Sequence, residues 1–283
     1  MLSAGRRTVL VRPCPLSAEG SRPQYGGPRA PRKAEYMQPF YADSSLTLYQ
    51  GDALTCLREL SPDSIDSVIT DPPYCSGAFT LSGKQATSRT KYQNTDTVTT
   101  YPNMLGDGRD QRSFTHWAAL WLAESWRIAR PCAPLLVFTD WRQLPCVVDA
   151  IQIAGWQWRG IVVWHKVGIR PMRGEFCHDA EFVVYARKIR RGDVPSFCLP
   201  GVYKYSSTAK GKYHVTGKPL ALLRDLLKIT RPGDVVLDPF LGGGTTAVAA
   251  KLTGRSCVGI ELSTEYATVT RDRITASMPL ADE

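Results

Sequence analysis

The chain has 283 residues, 43% hydrophobic and 22% charged, which is ordinary for a globular protein and enough to bury one sizeable core. No apolar run reaches the length of a membrane-spanning helix, so a membrane role is not indicated. The net charge of +9 favours a polyanionic partner. The eight cysteines form no CxxC pair, which argues against a zinc site or disulfide framework and for reduced thiols in a cytoplasm.

Residues 1–36 carry seven basic side chains against Glu19 and Glu35, a balance of +5 that leaves the remainder only mildly basic. This stretch is rich in Pro, Gly, Ser and Arg and has no sustained apolar period, so it reads as a disordered extension, with Met37 a candidate start. Its apolar stretch Val9–Val11 is too short for a secretory signal. From Leu46 onward apolar runs alternate with helical patterns, the signature of a mostly parallel sheet covered by helices. Strands are expected at Leu46–Gln50 and Ile65–Thr70.

The second strand runs into Asp71-Pro72-Pro73-Tyr74. Adjacent prolines continue neither a helix nor a central ladder, so the chain turns sharply and projects Asp71 and Tyr74 from the strand end. The set suits alkylation of an aromatic amine, whose lone pair is delocalised into its ring. The Asp71 carboxylate and the Pro72 carbonyl can accept its two hydrogens and favour a pyramidal nitrogen, so that positioning and electrostatics carry the work. Tyr74 offers a face for an extruded base, worth ~1–3 kcal/mol by analogy with other base stacking. Taken alone, the tetrapeptide could equally be a rigid turn with Tyr74 in the core.

Residues 75–112, rich in Ser, Thr, Gly and charge, read as a long functional loop. Trp117, Leu120, Trp121, Glu124 and Ile128 then trace one stripe of a helix. Pro134–Thr139 is expected as a strand, Leu144–Ala154 as a helix, and Trp158–Trp164 and Glu181–Ala186 as strands that pair as a hairpin. After a basic connector come a helix at Pro219–Thr230, a strand at Val235–Leu237, a helix at Thr245–Leu252, a strand at Ser256–Glu261 and a closing helix at Glu265–Ser277. The predicted architecture is an α/β, doubly wound, Rossmann-like fold of three layers, with ligands beyond the carboxyl ends of the strands.

Asp238-Pro239-Phe240-Leu241-Gly242-Gly243-Gly244-Thr245-Thr246 lies between a strand and a helix. Its glycines let the backbone approach a ligand, the helix start presents N–H groups to a carboxylate, and Thr245 and Thr246 add hydroxyls. Glu261 ends the next strand, near the ~20-residue spacing at which an acid meets ribose hydroxyls. The GxxxxGK[ST] phosphate loop is missing. The combination reads as a nucleoside-plus-carboxylate pocket and fits S-adenosylmethionine better than a dinucleotide.

These two motifs, in this order, resemble those of the amino-directed DNA methyltransferases of the circularly permuted class called beta, from about Met37 to Ile274. Asp71, Pro72, Pro73 and Tyr74 match that family's catalytic motif, and Asp238, Pro239, Phe240, Gly242, Gly244, Thr245 and Thr246 its cofactor motif. The resemblance implies adenine contact by Asp52 and Ala53 in Gly51-Asp52-Ala53-Leu54, and ribose contact by Glu261 beside Leu262. It also implies cofactor contacts from Thr216, Lys218 and Pro219 in His214-Val215-Thr216-Gly217-Lys218-Pro219, where Val215 and Gly217 depart from the family's segment. An Asp-initiated motif leans towards adenine N6, with cytosine N4 the alternative. RNA or protein-amide methylation and a non-catalytic DNA-binding relative are more distant readings. Neither a recognition sequence nor a cognate restriction endonuclease is legible, and family habit implies a homodimer.

Double-stranded DNA is the implied partner. A target-recognition segment is expected at 187–213, where Arg190, Arg191, Lys204, Lys210 and Lys212 accompany Tyr203, Tyr205 and Tyr213, with Arg187 and Lys188 just upstream. Arg170 and Arg173 precede it, and Lys84, Arg89 and Lys91 lie in the long loop. Basic residues interleaved with aromatics suit phosphate contact and base stacking, although such runs are commonly just solvated surface.

Overall fold

The computed structural model describes residues 37–74, 109–169, 173–188, 198–206 and 217–277. The expected extension 1–36, nearly all of the loop 75–112 and most of the segment 187–213 lie outside the described residues.

Among the described residues nine strands form one sheet: β1 (Tyr41–Ala42), β2 (Leu46–Gln50), β3 (Ser67–Thr70), β4 (Pro134–Thr139), β5 (Gln157–Val167), β6 (Ala180–Arg187), β7 (Val202–Ser206), β8 (Val235–Asp238) and β9 (Ser256–Glu261), in the order β1-β2-β9-β8-β3-β4-β6-β5-β7. β2, β9, β8, β3 and β4 are mutually parallel, which aligns their carboxyl ends along one edge. β6 runs antiparallel to both β4 and β5, so its amino end reaches that same edge. β3 and β4 are buried at every position, as expected of central parallel strands covered on both faces.

The helices are α1 (Ala53–Glu59), α2 (Gln111–Ile128), α3 (Leu144–Ile153), α4 (Leu220–Leu226), α5 (Thr245–Leu252) and α6 (Thr264–Ala276). Three carry side-chain N-caps: Asp52, Asp110 and Ser263 accept from the N–H groups of Thr55, Ser113 and Tyr266, satisfying donors that a helix start leaves unpaired. One core packs Leu57 of α1, Phe114, Trp121 and Leu122 of α2 and Ile151 of α3 against the sheet. A second packs Leu222 and Leu226 of α4, Ala247 and Ala250 of α5 and Ile274 of α6. The result is the Rossmann-like three-layer arrangement that the alternating pattern predicts.

Several boundaries differ from expectation. β3 starts at Ser67, Ile65 making only an isolated bridge to Ala129. The helix expected over Pro219–Thr230 is α4 followed by one 3-10 turn at Leu227–Ile229. Gln111 and Arg112 belong to α2 rather than to the preceding loop. The buried line of α2 runs through Phe114, Ala118, Trp121, Leu122, Ser125 and Ile128, and Leu120 is exposed. β7 lies inside the segment assigned to target recognition and pairs in parallel with β5. Its Tyr203 is core, and Tyr205 is partly buried against that core with its hydroxyl held by Asp225. Arg187 and Lys188 are likewise structural: Arg187 donates to the Cys132 carbonyl, and the largely buried Lys188 to Asp63 and the Ala129 carbonyl.

Candidate active site

The carboxyl edge of the sheet collects both motifs. β3 and β8 are neighbours, pairing Val68 with Leu237, so the Asp71 and Asp238 turns emerge side by side. The Thr70 hydroxyl donates to Asp238 Oδ1 at 2.7 Å and ties the two turns together. β2 and β9 pair Gln50 with Glu261, and the Gly51 N–H donates to the Glu261 carbonyl at 2.9 Å, which brings the Asp52 turn beside Glu261.

The glycine turn is built by conformations that only glycine takes easily. Gly242 and Gly244 have φ of 54° and 78°, and a Cβ on Gly244 would sit 2.7 Å from the Thr270 hydroxyl. The Gly242 N–H donates to Glu261 Oε2 at 2.8 Å, and the Thr270 hydroxyl donates to the Gly242 carbonyl at 2.8 Å. Glu261 Oε1 accepts from the Ser263 N–H at 2.8 Å. Burial pushes the Glu261 carboxyl above its usual range, against the pull of these N–H groups. Oε2 thus holds the glycine turn, while Oε1 holds the chain just after β9. A carboxylate acceptor, an exposed Asp52 at the next strand end, and a turn stripped of side chains at the head of α5 fit a nucleoside bearing a carboxylate.

Three residues expected at the cofactor have other work. Asp238 is only 2% exposed and accepts from Thr70, from the Phe240 N–H at 3.1 Å and from Thr246; burial pushes its pKa up to about 6. It braces the turn from within. Thr246 is spent on that brace and is itself buried. The Phe240 ring packs on Trp117 and Trp121 at 5.3 and 5.1 Å between centroids.

Lys218, also expected at the cofactor, stands at the catalytic turn. Its Nζ lies 2.6 Å from Asp71 Oδ2, 3.4 Å from the Tyr74 hydroxyl and 3.5 Å from Glu181 Oε2. The Tyr74 hydroxyl donates to Glu181 Oε2 at 3.4 Å, and Lys166 Nζ donates to Glu181 Oε1 at 3.3 Å. The Lys218 side chain is 5% exposed and that of Asp71 25%. Burial raises the Asp71 carboxyl, opposed by the Lys218 ammonium and reinforced by the like charge of Glu181. Burial also works against the charged Glu181, yet the two ammonium groups outweigh it and hold that carboxyl below its usual range. Asp71 Oδ1 is buried and accepts no hydrogen bond among the described residues.

Glu181 and Lys166 were not expected here. Each is an ordinary charged residue within a strand pattern; the one available signal is that β6, if hairpin-paired with β5, must begin at the edge where β3 ends. Among the DNA-contact candidates, Arg173 and Lys204 are exposed. Lys84, Arg89, Lys91, Arg170, Arg190, Arg191, Lys210, Lys212 and the cofactor candidate Thr216 lie outside the described residues. Pro219 is buried at the N-cap of α4, and Leu262 is exposed beside Glu261.

The sheet order and strand-end turns define a Rossmann-like methyltransferase fold. The DNA methylase family (N6_N4_Mtase) matches residues 191–272. The Type II methyltransferase M2.DpnII of Streptococcus pneumoniae is 28% identical over 84% of this chain and 93% of its own length. Among solved structures, the M1.HpyAVI–SAM complex is similar at TM-score 0.59 and 23% identity, covering 81% of this chain and 98% of that one. The cytosine-N4-specific PvuII DNA methyltransferase is similar at TM-score 0.64 and 18% identity, covering 87% and 91%. The two structures bear on the fold, whereas the family match and the Type II relative support a DNA methyltransferase of the N6/N4 kind.

Proposed function

We propose that this protein transfers a methyl group from S-adenosylmethionine to adenine N6 in duplex DNA, acting on a base extruded from the helix. The observation that carries this reading is Asp71: a carboxylate at the end of a central strand, with one oxygen clamped by an ammonium and the other buried and unpaired, beside the cofactor-type turn. An unpaired buried acceptor is costly unless a ligand donor completes it, and an aromatic NH2 is such a donor.

Asp52, Glu261 and the Gly242–Thr246 turn would hold the cofactor, which supplies an electrophilic methyl carbon. Asp71 Oδ1 and the Pro72 carbonyl bind the two hydrogens of the target amine and turn its lone pair out of the ring plane. The Tyr74 ring, its hydroxyl fixed by Glu181 and Lys218, stacks on the extruded base. Asp71 need not take a proton before transfer, because the alkylated nitrogen is far more acidic and releases one to the adjacent carboxylate afterwards.

The order of the two motifs, Asp71 before Gly242, supports the permuted beta class, and the Asp at the head of the catalytic motif favours adenine over cytosine. Exposed Arg173 and Lys204 stand among the cations that would meet phosphate. A homodimer acting in a bacterial cytoplasm completes this reading, and the likeness to a Type II methyltransferase favours a restriction–modification setting. The test is modification-sensitive sequencing and nucleoside mass analysis of DNA from a methylation-free host. Wild type is expected to leave N6-methyladenine at one sequence and Asp71→Ala none. N4-methylcytosine would move the reading to the cytosine enzyme, and unmodified DNA with the wild type would overturn it.

A further inference from the structure

The Lys218 ammonium has three N–H bonds and faces three oxygens from three places in the chain: Asp71 Oδ2 after β3, the Tyr74 hydroxyl and Glu181 Oε2 on β6. The rings of Tyr74 and Phe138 flank it, their centroids 5.4 and 5.2 Å from Nζ. Glu181 is held in turn by Lys166 on β5 through its other oxygen. Among the described residues the three Lys218 donors each face one of these oxygens, and one oxygen is left over on Asp71. A carboxylate with Oδ2 fixed by a buried ammonium cannot rotate about its last torsion without breaking that pair.

We propose that Lys218 is a positioning residue, anchored by Glu181 and Lys166, which clamps Asp71 Oδ2 so that Oδ1 alone is presented to the target amine. This rests on the methyl-transfer reading above and gives Lys218 a role at the base rather than at the cofactor. Glu181 acts through Lys218, and Lys166 through Glu181. The charged or titratable groups around Asp71 are Lys218 from the turn before α4, Glu181 from β6, Tyr74 of its own turn and Asp238 from the β8 turn. Among the described residues Lys218 is the cation that contacts Asp71, and Lys166 stands one step away on Glu181, so removal of Lys218 leaves Asp71 without its direct counter-charge.

The test uses the full chain with Lys218→Met, Glu181→Gln and the double variant. Single-turnover transfer at saturating cofactor and duplex is measured against pH, together with cofactor and duplex affinity. In parallel, the Asp71 carboxyl is titrated by 13C NMR without either substrate. Lys218→Met is expected to slow transfer by ~10²-fold, the scale set by a small misplacement of a reacting group, while both affinities stay within about threefold, less than 1 kcal/mol. Its acid limb and the Asp71 titration should both move to higher pH, because the lost ammonium favoured the ionised carboxylate. Glu181→Gln is expected to cost about tenfold, and the double variant to be no slower than Lys218→Met, as residues acting in series are non-additive.

A Lys218→Met protein that transfers at the wild-type rate, or that loses mainly cofactor affinity, would overturn the proposal. If that variant does not fold, a folded Glu181→Gln with wild-type rate and profile would do the same. A wild type that methylates no DNA would sink the function reading, while the Asp71 titration in wild type and variant would still decide whether the clamp exists.

Discussion

Two Asp-Pro turns leave the carboxyl ends of neighbouring parallel strands, and their aspartates have opposite surroundings. Asp238, the last residue of β8, is enclosed by donors from Thr70, Phe240 and Thr246 and holds its own turn in shape. Asp71, after β3, has a cation on one oxygen and, among the described residues, no partner on the other. A polar group whose demands are met inside the chain is scaffold, whereas one left short is poised for something from outside. The residue type and the strand-end position are the same; the difference lies in how many donors the fold supplies.

The largest effect that would test this contrast is catalytic. Asp71→Ala should lower single-turnover methyl transfer by at least ~10²–10³-fold, the scale of losing one preorganised electrostatic contact, with a smaller loss of stability than Asp238→Ala because the buried Lys218 ammonium keeps Glu181 as a partner. Asp238→Ala should do the reverse. It strands the Thr70 hydroxyl and the Phe240 N–H in a buried site and is expected to cost ~2–6 kcal/mol in urea unfolding, at ~1–3 kcal/mol per unsatisfied group. A stable Asp238→Ala protein that has lost transfer would erase the distinction.

A pH series sharpens it. Asp238 has a folded pKa of about 6 against an ordinary value of 3.8. The folded state therefore holds the proton more tightly, and this contribution to stability is full below about pH 4 and is lost as pH rises through about 6. The swing is of order 3 kcal/mol at ~1.4 kcal/mol per pKa unit. Asp238→Asn, which cannot ionise, should remove that component from the stability–pH curve; an unchanged slope between pH 4 and 6 would place the titration elsewhere.

The smallest effect concerns the turn that Asp238 braces. Gly244→Ala adds a Cβ within 2.7 Å of the Thr270 hydroxyl at a left-handed residue. It should destabilise by ~1–3 kcal/mol and weaken cofactor binding with little change in the rate at saturation. Calorimetric titration would show this, and unaltered affinity would mean that the turn is not a cofactor contact.

Much of this was legible in the chain itself because it is local. A strand followed by two prolines must turn, glycines followed by a helix must make a bare loop, and alternation of strand and helix patterns implies a three-layer sheet. The hairpin of β5 and β6 and the closing elements also follow from local pattern. Where periodicity was weak the edges slipped, as at β3 and α4, and β7 was missed because a five-residue strand flanked by basic residues looks like a connector.

The fold, not the sequence pattern, enclosed Asp238 as scaffold, and it set Lys218 against Asp71 across 147 residues of chain. It also turned Tyr203 inward and brought Glu181 to the site on an antiparallel strand whose start meets the ends of its parallel neighbours. The physical reason is that turn chemistry and period are properties of adjacent residues. Desolvation and charge pairing, by contrast, depend on which distant groups share one buried volume.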